Sequence, residues 1–339
     1  MSSSMVKGYA AGSVGKPLDL IAYDPPEVKE HDVRLSVTHC GLCYTDIHAI
    51  DDYYGITDFP FVPGHEIVGR ISEIGSAVTG LKLGDRVGVG WQGRSCGRCE
   101  WCGKDEEQLC IGIVDDGTWV PYGGFATSVV VDGRFAYKLP DGMPPEVAAV
   151  LMCGGISVYN PLKRFADRGT KDIGIVGIGG LGHLAIIFAH AMGLNVTAMS
   201  SSREKKDQAI ALGADRFVSF DDKEGLIKLE FGLDMILCTA HGDVPWVDVI
   251  DTLKKRGALV LVGFADVSFN STDFVAHEIV MEGSFIGNRA TMKEMLEFAL
   301  KHRITPMIEL MPMSRINEAI RRVKENKARY RIVLENDIE

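Results

Sequence analysis

Residues 173–193, IGIVGIGGLGHLAIIFAHAMG, decide how this chain is read. Ile173 to Val176 form a short, uniformly apolar run, the pattern of a strand buried on both faces, and an apolar helical segment follows. Between them stand Gly177, Gly179, Gly180 and Gly182, with Leu181 leading into the helix. Strand, glycine turn and helix in that order are the context in which G-x-G-x-x-G binds a dinucleotide. Missing side chains let backbone N–H groups approach a pyrophosphate, and the helix N-terminus favours its charge. A tight turn in some other α/β protein is the competing reading, and the next strand weakens it. That strand, NVTAM, leads into Ser200, about twenty residues past the glycines, where a fold specific for NAD places an acid on the ribose hydroxyl. Here the sequence is Ser200, Ser201, Ser202, Arg203, Glu204, Lys205, Lys206. Hydroxyls and cations at that point suit a 2′-phosphate, which an acid would repel, so the expected cofactor is NADP(H). The bland alternative is a solvated basic start to a helix, which suits Lys206 alone better than the whole stretch.

Downstream the same alternation continues through ALGADRFVSF, GLDMILCTA, a helix PWVDVIDTLKKRG, ALVLVGF and GSFIG. Each apolar run is short enough for a parallel strand, so residues 155–289 read as a doubly wound nucleotide domain. The remaining tail carries two amphipathic helices, 291–302 and 314–326, and a closing strand RYRIVLE. It is too short for a core of its own and is expected to return and complete the first domain, residues 1–154. That domain reads as β-rich, with alternation at Val33, Leu35 and Val37 and glycines punctuating short apolar runs after residue 66.

Within it, residues 40–66 open on CGLCYTDIH and close on GHE. Cys43 and His65 are zinc-ligand types, and Thr45, Asp46 and His48 stand close to the thiol with groups able to orient a ligand or pass a proton. A third ligand must come from elsewhere. Cys153, in AAVLMCGGISVYNPL, is the best candidate, because Cys96, Cys99, Cys102 and Cys110 form their own cluster with spacing C-x2-C-x2-C-x7-C. Four thiols can close a tetrahedral zinc and leave no position for substrate, which makes that cluster structural. A nucleic-acid zinc module is disfavoured, since residues 94–107 carry three bases against four acids. Each Cys or His taken singly is more often a packed core residue than a ligand; taken together they are not.

Composition sets the outer bounds. At 339 residues, 46% hydrophobic and 24% charged, the chain has material for about two soluble domains. A formal net charge of -10 argues against nucleic acid and anionic membrane surfaces. MSSSMVKGYAAG has neither an apolar signal core nor an arginine-rich transit pattern, and no later run is long enough to span a membrane. A cytoplasmic protein follows as the expectation, with its eight cysteines used for metal rather than for disulfides.

CGLCYTDIH followed by VPGHEIVGRISEIG resembles the zinc-dependent medium-chain alcohol dehydrogenases, and among them the cinnamyl alcohol dehydrogenase-like branch. The similarity runs over nearly the whole chain, through EMLEFA, INEAI and RYRIVLE. It implies a GroES-like catalytic domain joined to a Rossmann domain, two zinc ions per chain, NADP(H), and a homodimer or homotetramer acting on small alcohols and aldehydes. It implies the metal thiolate at Cys43, with Cys40 left as a core residue. It further implies a relay from Thr45 through a ribose hydroxyl to His48, Glu66 beside the catalytic zinc, and cofactor contacts at Ser157, Thr239, Val262 and Phe285. Lys205 matches a lysine of the NADP-using members. Tyr44 departs from the His or Arg that many relatives turn toward the cofactor phosphates. Asp46 is placed to accept the free ring N–H of His65. Trp91 and Trp119 are candidates for a narrow, apolar substrate pocket, or else packing residues. A zinc-free reductase of the same fold conflicts with the intact ligand set. A non-catalytic NADPH-binding protein would need neither Thr45 nor His48, and a polyol-type dehydrogenase is the alternative within the enzymes.

Overall fold

A computed structural model describes residues 5–112, 122–264 and 266–339, and Trp119 lies outside them. The chain divides into two compact units: residues 1–153 with 287–339, and residues 154–286. The first is therefore split in sequence and the second is continuous.

The first unit is built on a twisted sheet ordered Ile308–Pro312, Arg331–Glu335, Asp32–Leu42, Glu66–Ile74, Arg86–Val89, Tyr137–Lys138, with Ser128–Asp132 also paired to Asp32–Leu42. Alternation explains the central strand: Val33, Leu35 and Val37 are buried while Ser36 faces solvent. Its far end is Cys40–Leu42, buried because Arg331–Glu335 from the tail covers one edge and Glu66–Ile74 the other. Cys40 is core, packed so closely that a Cβ on Gly64 or Gly124 would come within 3.0 Å of its sulfur. The tail helices run Arg289–Lys301 and Ile316–Lys324.

The second unit is a six-stranded sheet, every pairing parallel, ordered Arg216–Ser219, Asn195–Ser200, Asp172–Val176, Leu233–Cys238, Leu253–Leu261, Val280–Gly283. Strand order reverses beside Asp172–Val176, whose Ile173, Ile175 and Val176 are fully buried. The turn that leaves this strand opens at the topological switch point, where open α/β sheets bind ligands.

One expected element differs. The helix read over PWVDVIDTLKKRG is only Trp246–Ile250, and a strand already begins at Leu253. The buried Thr252 ends the helix: its hydroxyl donates to Val249 O at 2.7 Å, and its carbonyl accepts from Gly232 N and Leu233 N. Tertiary pairing with Leu233 then overrides the helical propensity of Lys254 and Lys255.

Candidate active site and metal centres

Asp46 organises the first cluster. It lies in the first turn of the helix Tyr44–Ile50, which begins at Cys43. Oδ2 accepts from Cys43 N at 3.0 Å, while Oδ1 accepts from Gly64 N at 2.9 Å and stands 2.7 Å from His65 Nδ1. One buried carboxylate thus fixes the backbone of the thiol and the ring of the imidazole. Burial opposes a charge on His65, but Asp46, together with the neighbouring Cys43, outweighs it and holds its pKa well up. With Nδ1 committed, Nε2 points inward and is buried without a hydrogen-bond partner among the described residues.

Cys153 arrives from another direction. The helix Pro145–Val150 is followed by a π-helical turn, Leu151–Gly155, before the helix Ile156–Ala166 resumes. Such a wider turn re-aims one side chain out of the helical register and is frequent at functional sites. Sγ of Cys43, Sγ of Cys153, a ring nitrogen of His65 and a carboxylate oxygen of Glu66 all lie within 4.8 Å of one another. The bond from Cys153 drives the Cys43 thiol well below its ordinary pKa, and that same bond to Cys43 pushes Cys153 up. Glu66 is fully buried; burial lifts its pKa to about 7 against the pull of the Arg331 guanidinium bonded to Oε1. Its Oε2 is buried without a partner among the described residues. Gly41 makes room for it, since a Cβ there would lie 2.0 Å from Oε2.

The second cluster gathers Cys96, Cys99, Cys102 and Cys110, again within 4.8 Å. Cys102 Sγ is 3.9 Å from Cys96 Sγ and 3.6 Å from Cys99 Sγ. Those separations are too long for disulfides and match the edge of about 3.8 Å that four Zn–S bonds of ~2.3 Å define. Backbone N–H groups of Cys96 and Gly112 donate to Cys110 Sγ, each at 3.4 Å. Bonds from backbone groups lower Cys99 to about 6, whereas burial raises Cys102 to about 12. Both clusters fit zinc: soft donors converge, and the first leaves an orphaned imidazole nitrogen and carboxylate oxygen facing inward.

The residues expected to meet a nucleotide collect along the carboxyl edge of the second unit's sheet. Gly177, Thr239 and Val262 each directly follow a strand, Ser200 closes one, and Phe285 comes just after another. Gly177 has φ +88, and a Cβ on Gly182 would sit 1.9 Å from Gly177 O. Around Gly179 nothing described lies within 4 Å of such a Cβ. Its smallness serves no packing, which leaves room for a bound group. Thr239 Oγ1 donates to Gly177 O at 2.9 Å and Lys205 Nζ to Ile178 O at 2.7 Å, so both tie to the turn. Ser200 is buried and its Oγ accepts from Ser202 N at 3.2 Å, while Arg203 Nε donates to both oxygens of exposed Asp221 at 2.9 and 3.0 Å. Ser157 is buried in the helix Ile156–Ala166.

Two family models match the chain: alcohol dehydrogenase GroES-like domain over residues 29–141 and zinc-binding dehydrogenase over residues 180–301. The 8-hydroxygeraniol dehydrogenase of Catharanthus roseus is 38% identical, over 97% of this chain and 94% of its own. The NADP-dependent alcohol dehydrogenase C 1 of Mycolicibacterium smegmatis is 37% identical over 98% of both. A cinnamyl alcohol dehydrogenase structure from Sorghum bicolor superposes with TM-score 0.92, at 34% identity and 98% coverage of each chain. This chain is a zinc-binding alcohol dehydrogenase of the medium-chain family. Another structural relative, the Helicobacter pylori cinnamyl alcohol dehydrogenase complexed with NADP(H), gives TM-score 0.88 at 31% identity, with 98% of both chains covered.

Two residues of this alcohol dehydrogenase escaped the sequence reading. Arg331 opens the tail strand Arg331–Glu335, and beside Arg329 in RYRIVLE nothing in the sequence set it apart as the buried cation. Tyr54 lies beyond the helix Tyr44–Ile50, with its hydroxyl 3.2 Å from His48 Nδ1. Trp91, by contrast, is a buried residue.

Proposed function

We propose that the protein interconverts primary alcohols and aldehydes, aromatic such as cinnamyl or benzyl as well as aliphatic, using NADP(H) and zinc. The observation that carries the reading is the convergence of Cys43, His65, Glu66 and Cys153 on one point, with His65 Nε2 lacking any other partner among the described residues. Cys43, His65 and Cys153 would hold the catalytic zinc, and Glu66 Oε2 offers an oxygen beside it. When bound, zinc supplies a Lewis acid that polarises the substrate oxygen, and NADP(H) supplies or accepts the hydride.

The remaining chemistry falls to the side chains. Asp46 keeps the His65 tautomer that presents Nε2. Two thiolates balance a divalent charge, and Arg331 balances Glu66, so the buried centre stays near neutrality, which burial demands. Thr45, whose hydroxyl is 3.6 Å from Cys43 Sγ, stands where a substrate oxygen beside the metal would exchange its proton, and His48 exchanges that proton with solvent. Cys96, Cys99, Cys102 and Cys110 would hold a second, structural zinc. For the cofactor, Gly179 leaves space for the pyrophosphate, while Ser200, Ser201, Ser202, Arg203 and Lys205 serve the 2′-phosphate. NADP dependence is also named for the mycobacterial relative.

A homodimer or homotetramer belongs to the same reading, supported by exposed Val280 and Met281 on the edge strand Val280–Gly283. Among the described residues no helix is long and apolar enough to cross a membrane. A cytoplasmic location is supported by cysteines that are all free. The test is turnover of aromatic and aliphatic aldehydes with NADPH, and of the alcohols with NADP, by zinc-replete protein. Turnover that chelators abolish is expected. NADPH binding without turnover of any substrate would overturn the reading in favour of a binding protein.

A further inference from the structure

Thr45 and His48 stand one helical turn apart on Tyr44–Ile50, and the family resemblance joins them through a ribose hydroxyl of the cofactor. A side chain of this protein joins them as well. The Tyr54 hydroxyl is 3.2 Å from His48 Nδ1, and it also bonds the Thr45 side chain. The arrangement is held by rings: Tyr53 stacks on the His48 imidazole with centroids 4.6 Å apart at 20°, and Tyr54 meets that imidazole edge-on at 5.8 Å and 86°. Tyr53 and Tyr54 brace one another at 5.4 Å and 87°.

We propose that Tyr54 relays the proton between Thr45 and His48 through its own hydroxyl, giving the enzyme a route that does not require the cofactor's ribose. The proposal rests on the alcohol dehydrogenase reading above. In aldehyde reduction the carbonyl carbon takes the hydride pair and the substrate oxygen takes the Thr45 proton. The Thr45 oxygen then takes the Tyr54 proton, and the Tyr54 oxygen takes the proton from His48 Nδ1. Each hydroxyl loses one O–H bond and gains one, and His48 recovers its proton from water. Alcohol oxidation runs the same chain backwards.

Tyr54→Phe keeps the ring and removes only the hydroxyl. Zinc content and NADPH affinity, measured by metal analysis and fluorescence titration, should stay within about two-fold of the parent, as should KM, while kcat falls about five-fold or more. The solvent isotope effect on kcat should rise as proton transfer becomes limiting. In protein with isotope-labelled histidine, the Nδ1 resonance of His48, assigned by its loss in His48→Gln, should shift in Tyr54→Phe. Because both residues serve one chain, Tyr54→Phe combined with His48→Gln should be no slower than the slower single variant. A fall in kcat of less than about five-fold, an unmoved Nδ1 resonance, or losses that multiply in the double variant would overturn the relay. A parent protein with no turnover on any alcohol or aldehyde would instead overturn the functional reading on which it stands.

Discussion

Adding one methyl group at either of two glycines in the same turn should give opposite phenotypes. At Gly182 the new Cβ would lie 1.9 Å from Gly177 O and 2.9 Å from Thr239 Oγ1, and a backbone carbonyl within a buried turn has little freedom to move. Overpacking of this kind costs about 1–3 kcal/mol, here nearer the upper end, which for a unit the size of residues 154–286 lowers Tm by roughly 4–12 °C. At Gly179 the Cβ meets no described atom within 4 Å, so Gly179→Ala should leave Tm unchanged or raise it slightly by restricting the unfolded chain. Its cost falls on the ligand. A methyl group there holds the pyrophosphate away from the backbone, and each lost N–H bond to phosphate is worth about 1.5–3 kcal/mol, a factor of roughly ten to one hundred in Kd. Thermal denaturation of the apo protein and NADPH fluorescence titration separate the two effects. If Gly179→Ala binds NADPH as the parent does, the space at Gly179 is not the pyrophosphate site and the reasoning fails.

The other predictions concern metal, phosphate and acid. Cys153→Ser should abolish activity and halve the bound zinc with little change in Tm, whereas Cys99→Ser should lower Tm first, because a closed site contributes folding free energy; metal analysis beside calorimetry checks both. Arg203→Ala should weaken NADP(H) about ten-fold and leave NAD(H) affinity unchanged, read from Kd for each cofactor. An equal loss for both would show that the Arg203 pair with Asp221 is only a surface link. Hydrogen bonding from Asn195 and Lys254 holds Asp172 below the usual carboxylate range, and Asp234, though burial raises it, is brought lower by Lys254 and the backbone N–H groups of Asp172 and Lys171. Their folded pKa values lie below the unfolded ones, so this stabilisation is present above the unfolded pKa and is lost as pH falls through the folded values. Denaturant midpoints should therefore drop below about pH 4, and Asp234→Asn should flatten that acid limb.

Local signals were readable in the sequence because they depend on few neighbours. The glycine turn announces itself by residue type, and the strand before it by an unbroken apolar run. Cys96 to Cys110 declare a cluster by spacing alone. What the sequence hid depends on distant chain. Thr252 ends a helix that propensity would continue, because its carbonyl accepts from Gly232 and Leu233. The π-helical turn that presents Cys153 has no sequence mark in AAVLMCGGI. Arg331 acquires its meaning only beside Glu66, 265 residues earlier. Tyr54 reads as a loop aromatic until the chain after Asp51 folds its hydroxyl back to His48.

The split of the first unit has a consequence for the order of synthesis. Residues 154–286 are complete as soon as they emerge, and a continuous parallel sheet can fold while translation proceeds. The first unit cannot. By then Cys43, His65, Glu66 and Cys153 have all left the ribosome, yet Glu66 lacks its Arg331 partner, and the His39–Leu42 end of the strand Asp32–Leu42 has an open edge until Arg331–Glu335 arrives. The nascent chain thus carries four metal-binding donors and a half-open strand edge through the synthesis of the entire second unit, and early capture of zinc would protect both.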